Sequence, residues 1–192
     1  QGRPMRLEAD GTGSFADYIK EIYRRSAQSA VDSKAALDGA DWFTVKDGKV
    51  TDVDLAKYAV WATRLKAAPA FDRFDRSSGE NDVFGTAANV PRHFTDFSRR
   101  YDSEHGALAP DADIRRMNPL GYIAAAGVRT APHFRIRHGA KDRDTAMAVP
   151  AVLALRLANA GIDVDFSAPW GQGHGGDYDL DELFNWIDRI CK

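Results

Sequence analysis

Two short loops concentrate the residues of this chain that could do chemistry. The first, His138-Gly139-Ala140-Lys141-Asp142-Arg143-Asp144, follows the alternating run His133-Phe134-Arg135-Ile136-Arg137. The second, Pro169-Trp170-Gly171-Gln172-Gly173-His174-Gly175-Gly176, follows Ile162-Asp163-Val164-Asp165-Phe166. If the two runs are parallel strands of one sheet, loops at their carboxyl ends share an edge, and Asp142 can meet His174 there. A hydroxyl is a poor nucleophile until a histidine can take its proton. That histidine in turn needs a carboxylate to fix its tautomer and stabilise the imidazolium. Glycines on both sides of His174 allow a sharp turn and leave the ring open to a cleft. Taken singly, each residue has a plainer reading. An aspartate in a glycine-flanked loop is usually a turn or a helix cap, and Asp144 before Thr145 fits a cap. Most single histidines are structural or merely exposed. What points to chemistry is the pair, in register with two strands.

The elements that must position this pair are legible in the apolar spacing. Between the two runs, residues 145–160 carry Met147, Val149, Val152, Leu153, Leu155, Leu157 and Ala158 at helical spacing, with Gly161 as a stop. Pro150 predicts a kink or a later start for that helix. A helical crossover between two short strands implies parallel pairing with a right-handed connection. A last helix is expected over 179–190, acidic in its first turn and apolar at Leu183, Phe184, Trp186 and Ile187. Upstream, Phe15, Tyr18, Ile19, Ile22, Tyr23 and Ala27 predict a helix over 15–36 with Ser14 as its N-cap. Asp47-Gly48 between two short apolar runs predicts a hairpin, and a second helix follows over 52–67. Residues 69–118 are rich in Pro, Gly and charge with weak periodicity, and read as loops with short helices.

Composition narrows the function classes. The 192 residues are 44% hydrophobic and 28% charged, with 26 Lys plus Arg against 28 Asp plus Glu. No basic stripe provides an electrostatic footing for nucleic acid or an anionic membrane. No apolar run approaches the ~18 residues of a spanning helix. The first residues carry neither the apolar stretch nor the cleavage pattern of a secretory signal. The single cysteine, Cys191, cannot form an internal disulfide and reads as a small apolar residue on the last helix. No Cys/His spacing matches a zinc site, and no metal or organic cofactor is expected.

An acid after the penultimate strand and a histidine after the last, before a closing helix, follow the chain order Ser, Asp, His of the α/β-hydrolases. The serine is missing: no Gly-x-Ser-x-Gly occurs around any serine of the chain. The strands are also too few for a complete sheet. The expected fold class is therefore α/β: the C-terminal part of an α/β-hydrolase core, with a mostly helical lid or insertion portion. An N-terminal fragment or chain of the same hydrolase, carrying the nucleophilic serine, is the expected partner.

Two blocks make the likeness more specific. They are His133 through Gly139 with Asp142-Arg143-Asp144-Thr145 and Val149-Pro150, and Asp163-Val164-Asp165-Phe166 with Pro169-Trp170 and His174-Gly175-Gly176-Asp177-Tyr178-Asp179. Together they resemble the bacterial tannases, serine esterases of gallic acid esters. Arg116-Met117-Asn118-Pro119 resembles that family's return from an inserted lid into the core. The resemblance implies residues 1–117 as the later portion of the lid and 118–192 as the end of the hydrolase core. It implies Asp142 as the triad acid and His174 as the general base. It further implies Asp144, Lys66 and Glu80 around the galloyl hydroxyls of a phenolic ester, where two carboxylates and an ammonium suit three vicinal phenols. Two other readings stay open from the residues alone. One is another hydrolase of this fold, such as a feruloyl esterase or a peptidase; the other is a non-catalytic binding module.

Overall fold

The computed structural model describes residues 4–63 and 69–192. The chain forms two compact units, one of Gln1–Leu65 with Ala131–Lys192 and one of Lys66–Thr130. The compact units do not follow chain order: residues 4–63 pack with the C-terminal segment.

In the first unit, helix α1 spans Ser14–Asp32 and buries Ile22, Tyr23, Ala27 and Ala30, the face its apolar spacing implied. Its N-cap is Gly13 rather than Ser14, whose hydroxyl instead accepts the Arg6 N–H at 2.9 Å. Strands β1 (Phe43–Lys46) and β2 (Lys49–Val53) form an antiparallel hairpin. Asp47 and Gly48 both take positive φ at its turn, as a two-residue connection of right-twisted strands requires. Helix α2 (Leu55–Trp61) starts three residues later than expected because Asp52 and Val53 still belong to β2. Asp54 caps it, accepting the N–H groups of Ala56 and Lys57 at 2.9 and 3.0 Å.

Strand β3 (His133–Arg137) pairs in parallel with β4 (Asp163–Ser167), from His133 opposite Asp163 to Arg137 opposite Ser167. Helix α6 (Ala148–Asn159) is the crossover, burying Ala151, Ala154 and Leu157. It begins three residues after the start of its apolar pattern, with Pro150 in the first turn, where a missing N–H costs no helical bond. Gly161 at φ 77° follows its end. Helix α7 (Leu180–Ile190) closes the chain; Cys191 lies just past it and is exposed, not packed as an apolar residue.

An aromatic core ties the N-terminal elements to the two loops. Trp42 is fully buried, edge-on to Tyr58 at 5.4 Å and stacked on Trp170 at 5.8 Å, while Trp61 stacks on Trp170 at 5.2 Å. The Trp170 indole N–H donates to the Ala36 carbonyl at 3.0 Å, and the Tyr58 hydroxyl donates to the Ala140 carbonyl at 2.8 Å.

The second unit contains helices α3 (Gly79–Val83), α4 (Asp96–Tyr101) and α5 (Asp111–Met117), then a 3-10 turn at Pro119–Gly121. Its interior is polar. His93 is fully buried with Nδ1 2.7 Å from Asp72 and Nε2 3.0 Å from Asp102. Asp72 also accepts from Asn81, Thr95 and the Phe94 N–H, while Asp102 accepts the N–H groups of Glu104 and Gly106 and is ion-paired with Arg76. Among the described residues no helix is long and apolar enough to cross a membrane.

Candidate active site

The loops after β3 and β4 are stitched together by backbone hydrogen bonds that continue the parallel pairing. His138 N–H donates to Ser167 at 3.2 Å, Ala140 N–H to Pro169 at 2.9 Å and Lys141 N–H to Gln172 at 2.8 Å. Gly139 sits where they touch. A Cβ there would run into the backbone carbonyls of Gln172 and Gly173, so the contact admits only glycine. The Lys141 ammonium rests 4.8 Å from the centre of the Trp61 ring, a cation–π contact beside the same turn.

The stitching brings Asp142 to His174. Asp142 Oδ2 lies 3.0 Å from His174 Nδ1, and Oδ1 accepts the N–H groups of Asp144 at 2.7 Å and Thr145 at 3.0 Å. Asp142 is 3% exposed, whereas the His174 side chain is 58% exposed. Burial, the largest single influence, pushes the Asp142 pKa up. The Thr145 N–H, His174, the Asp144 N–H and nearby His138 outweigh it together and hold the carboxyl below its ordinary 3.8. With Nδ1 donating to an ionised carboxylate, Nε2 is the basic nitrogen of the neutral ring. It has no hydrogen-bond partner among the described residues.

His138 brings a second imidazole to the same carboxylate. Its Nε2 donates to the Thr145 carbonyl at 3.2 Å and lies 3.5 Å from Asp142 Oδ2, with only 10% of the side chain exposed. Sequence reasoning passed over this residue, although a histidine four positions before a candidate acid in a tight turn was the available signal. Asp142, Asp144 and His174 each offer one ligand atom within 4.8 Å of the others, close enough for a cation. Both Asp142 oxygens, however, already accept hydrogen bonds.

Of the residues singled out in the sequence, Asp142, Asp144 and His174 come together. Glu80 is exposed in the first turn of α3, in the second unit. Lys66 lies outside the described residues.

Behind His174 lies a charged cluster the sequence reading missed. Arg135 and Arg137 project from one face of β3, 6% and 13% exposed, and Asp179 at the N-cap of α7 accepts from both, at 2.5 and 3.2 Å. Arg137 also makes a forked pair with Asp165 at 3.0 and 2.9 Å. The Asp179 pKa is lowered, chiefly by its bond to Arg135. Burial acts most strongly to lower the Arg137 pKa, but Asp165 and Asp179 together raise it. Arginines at alternate positions of one strand, ahead of a helix acidic in its first turn, were the readable sign. A cavity of about 340 Å³ lies beside the β4 loop, and one of about 500 Å³ opens onto Asp142, His174 and the two arginines.

The fold is that of a mixed α/β chain with a parallel strand pair, and comparison with solved structures gives it a family context. No family model and no curated protein matches the chain. Tannase from Lactobacillus plantarum is 42% identical over 98% of this chain and 40% of its own, with a TM-score of 0.91. Tannase from Fusobacterium nucleatum is 43% identical over 98% of this chain and 41% of its own, at 0.87. A tannin acyl hydrolase solved in complex with ethyl gallate is 42% identical over 100% of this chain and 42% of its own, at 0.92. The chain is thus similar to the bacterial tannases along nearly its whole length, while spanning about two fifths of theirs.

Proposed function

We propose that this chain supplies the acid and the base of a serine esterase that hydrolyses galloyl esters. The observation that carries the reading is the 3.0 Å contact of buried Asp142 with Nδ1 of His174, whose ring stands open to solvent. Similarity to tannases, one of them solved with ethyl gallate, supports the substrate class. The nucleophilic serine comes from an N-terminal segment of the same hydrolase. Residues 118–192 finish its α/β core and 1–117 form the later part of its lid, of which 4–63 pack back against the C-terminal segment. Apolar side chains left at the surface of the α6 and α7 helices, Val149 and Phe184 among them, suit further packing against such a segment.

In the first step the serine oxygen attacks the galloyl carbonyl while His174 Nε2 takes its proton, and Asp142 stabilises the imidazolium. His174 then returns the proton to the leaving alcohol as the acyl–oxygen bond breaks. Water, deprotonated by the same nitrogen, attacks the acyl-enzyme, and gallate leaves as the serine is reprotonated. Asp144 receives phenolic hydroxyls of the ring, a role that the resemblance to tannases also gives Glu80 and Lys66.

Hydrolysis of methyl gallate and methyl benzoate by the protein together with its serine-bearing segment tests this. A site built to bond the ring hydroxyls favours the gallate by about 10⁴-fold in kcat/KM. Equal values remove the ring-recognition roles, and failure of a fluorophosphonate to label the complex removes the esterase.

A further inference from the structure

The six residues from His174 to Asp179 include Gly175 and Gly176, both at positive φ, 79° and 106°. Such a segment has little stiffness of its own. His174 therefore owes its position to what grips the segment at each end. At the upstream end the loop is stitched to the β3 loop through the Gln172 carbonyl. At the downstream end the grip is electrostatic. The Asp179 carboxylate joins Arg135 and Arg137, and these arginines stand on β3, the strand that also leads into the Asp142 loop.

The pairing geometry makes this a clamp between the two halves of the site. One face of the β3–β4 pair carries Phe134, Ile136, Val164 and Phe166. The other carries His133, Arg135 and Arg137 beside Asp163 and Asp165, with His133 2.9 Å from Asp163. A planar guanidinium engaged on two sides holds its partners in a fixed direction, as a single ammonium does not. Arg137 is held against the sheet by Asp165 and the Ile136 and Asp165 carbonyls, leaving its Nε to hold Asp179 at 3.2 Å.

We propose that Arg137, with Arg135, is a positioning residue for His174, acting through Asp179. The pair fixes the far end of the glycine segment to the strand that carries Asp142, and so keeps Nδ1 of His174 on the Asp142 carboxylate. This rests on the proposed function, in which that contact sets the basic nitrogen, and the test separates the two.

The experiment is long-range ¹H–¹⁵N NMR of the imidazole nitrogens in the ¹⁵N-labelled chain at neutral pH. In the native chain His174 is the Nδ1–H tautomer. Asp142→Asn abolishes that preference and gives the reference for an uncoupled ring. Asp179→Ser, which keeps a residue suited to a helix N-cap, removes the carboxylate; the Nδ1–H population falls by at least half while the signals of buried Trp42 stay in place. Asp179→Glu restores most of it. The double variant Arg135→Lys/Arg137→Lys, which keeps both charges but loses both guanidinium grips on Asp179, behaves like Asp179→Ser and gives a second reading should that variant fail to fold. A folded Asp179→Ser or Arg135→Lys/Arg137→Lys with the native population overturns the clamp and leaves the Asp142–His174 pairing standing. No change in Asp142→Asn overturns the pairing itself, and the clamp with it.

Discussion

Gly139→Ala isolates the contact on which the two loops depend. The added Cβ meets the carbonyls of Gln172 and Gly173, which are backbone and cannot swing aside as a side chain would. Relief requires the loops to part by roughly an ångström, and misplacement on this scale costs about 10²-fold in rate for well-oriented groups. The Asp142–His174 contact, 3.0 Å in the native chain, stretches beyond hydrogen-bonding range, and the 2.8 Å bond from Lys141 N–H to Gln172 is lost with it. Overpacking costs about 1–3 kcal/mol of stability. The assay is kcat/KM for methyl gallate by the protein with its serine-bearing segment, alongside Tm. The expected result is a loss of roughly 10²-fold in a protein that still melts cooperatively. Native kcat/KM at native Tm would show that the loops have slack, and the reasoning from their close approach would fail.

Other outcomes follow from the same geometry. Tyr58→Phe deprives the buried Ala140 carbonyl of its donor, which lowers stability by about 1–3 kcal/mol in urea unfolding; an unchanged midpoint counts against the brace. His93→Leu leaves Asp72 and Asp102 buried without their shared imidazole, and removing one partner of a buried charge cluster costs about 3–5 kcal/mol. Hydrogen exchange should show the loss across 69–130, and native protection there refutes it. The pKa of Asp142 is depressed, so its contribution to stability is complete above the unfolded carboxyl value and disappears as pH falls through the lower folded one. A ¹³C titration should find this carboxyl still ionised at its ordinary 3.8; a midpoint at or above that value contradicts the hydrogen-bond account.

Short-range patterns carried much of this structure. His133–Arg137 alternates and is a strand end to end, and Asp47-Gly48 admits little but a hairpin. The parallel pairing followed from the helix between the strands, and it brought Asp142 and His174 to one edge. Boundaries shifted where local signals competed: Asp52 caps nothing because the hairpin extends through Val53. The second unit was opaque for a physical reason. Its buried interior is built largely from polar residues such as Asp72, Asn81, His93, Ser98 and Asp102, with Ala109 and Ile123, and the burial of those polar groups depends on partners far along the chain and leaves no apolar period to read. The arginine face of β3 was hidden likewise, since its counter-charges come from β4 and α7. Grouping of residues 4–63 with the C-terminal segment rests on Trp42, Tyr58 and Trp170 meeting across more than half the sequence, which no window reveals.

In the proposed reaction Asp142 and His174 act as one unit, and a double-mutant cycle in kcat/KM for methyl gallate measures that directly. Asp142→Asn and His174→Ala should each cost roughly 10⁴-fold, and the double variant about as much as the worse single one. Losses that multiply would mean two residues working independently, and the shared proton path would be wrong.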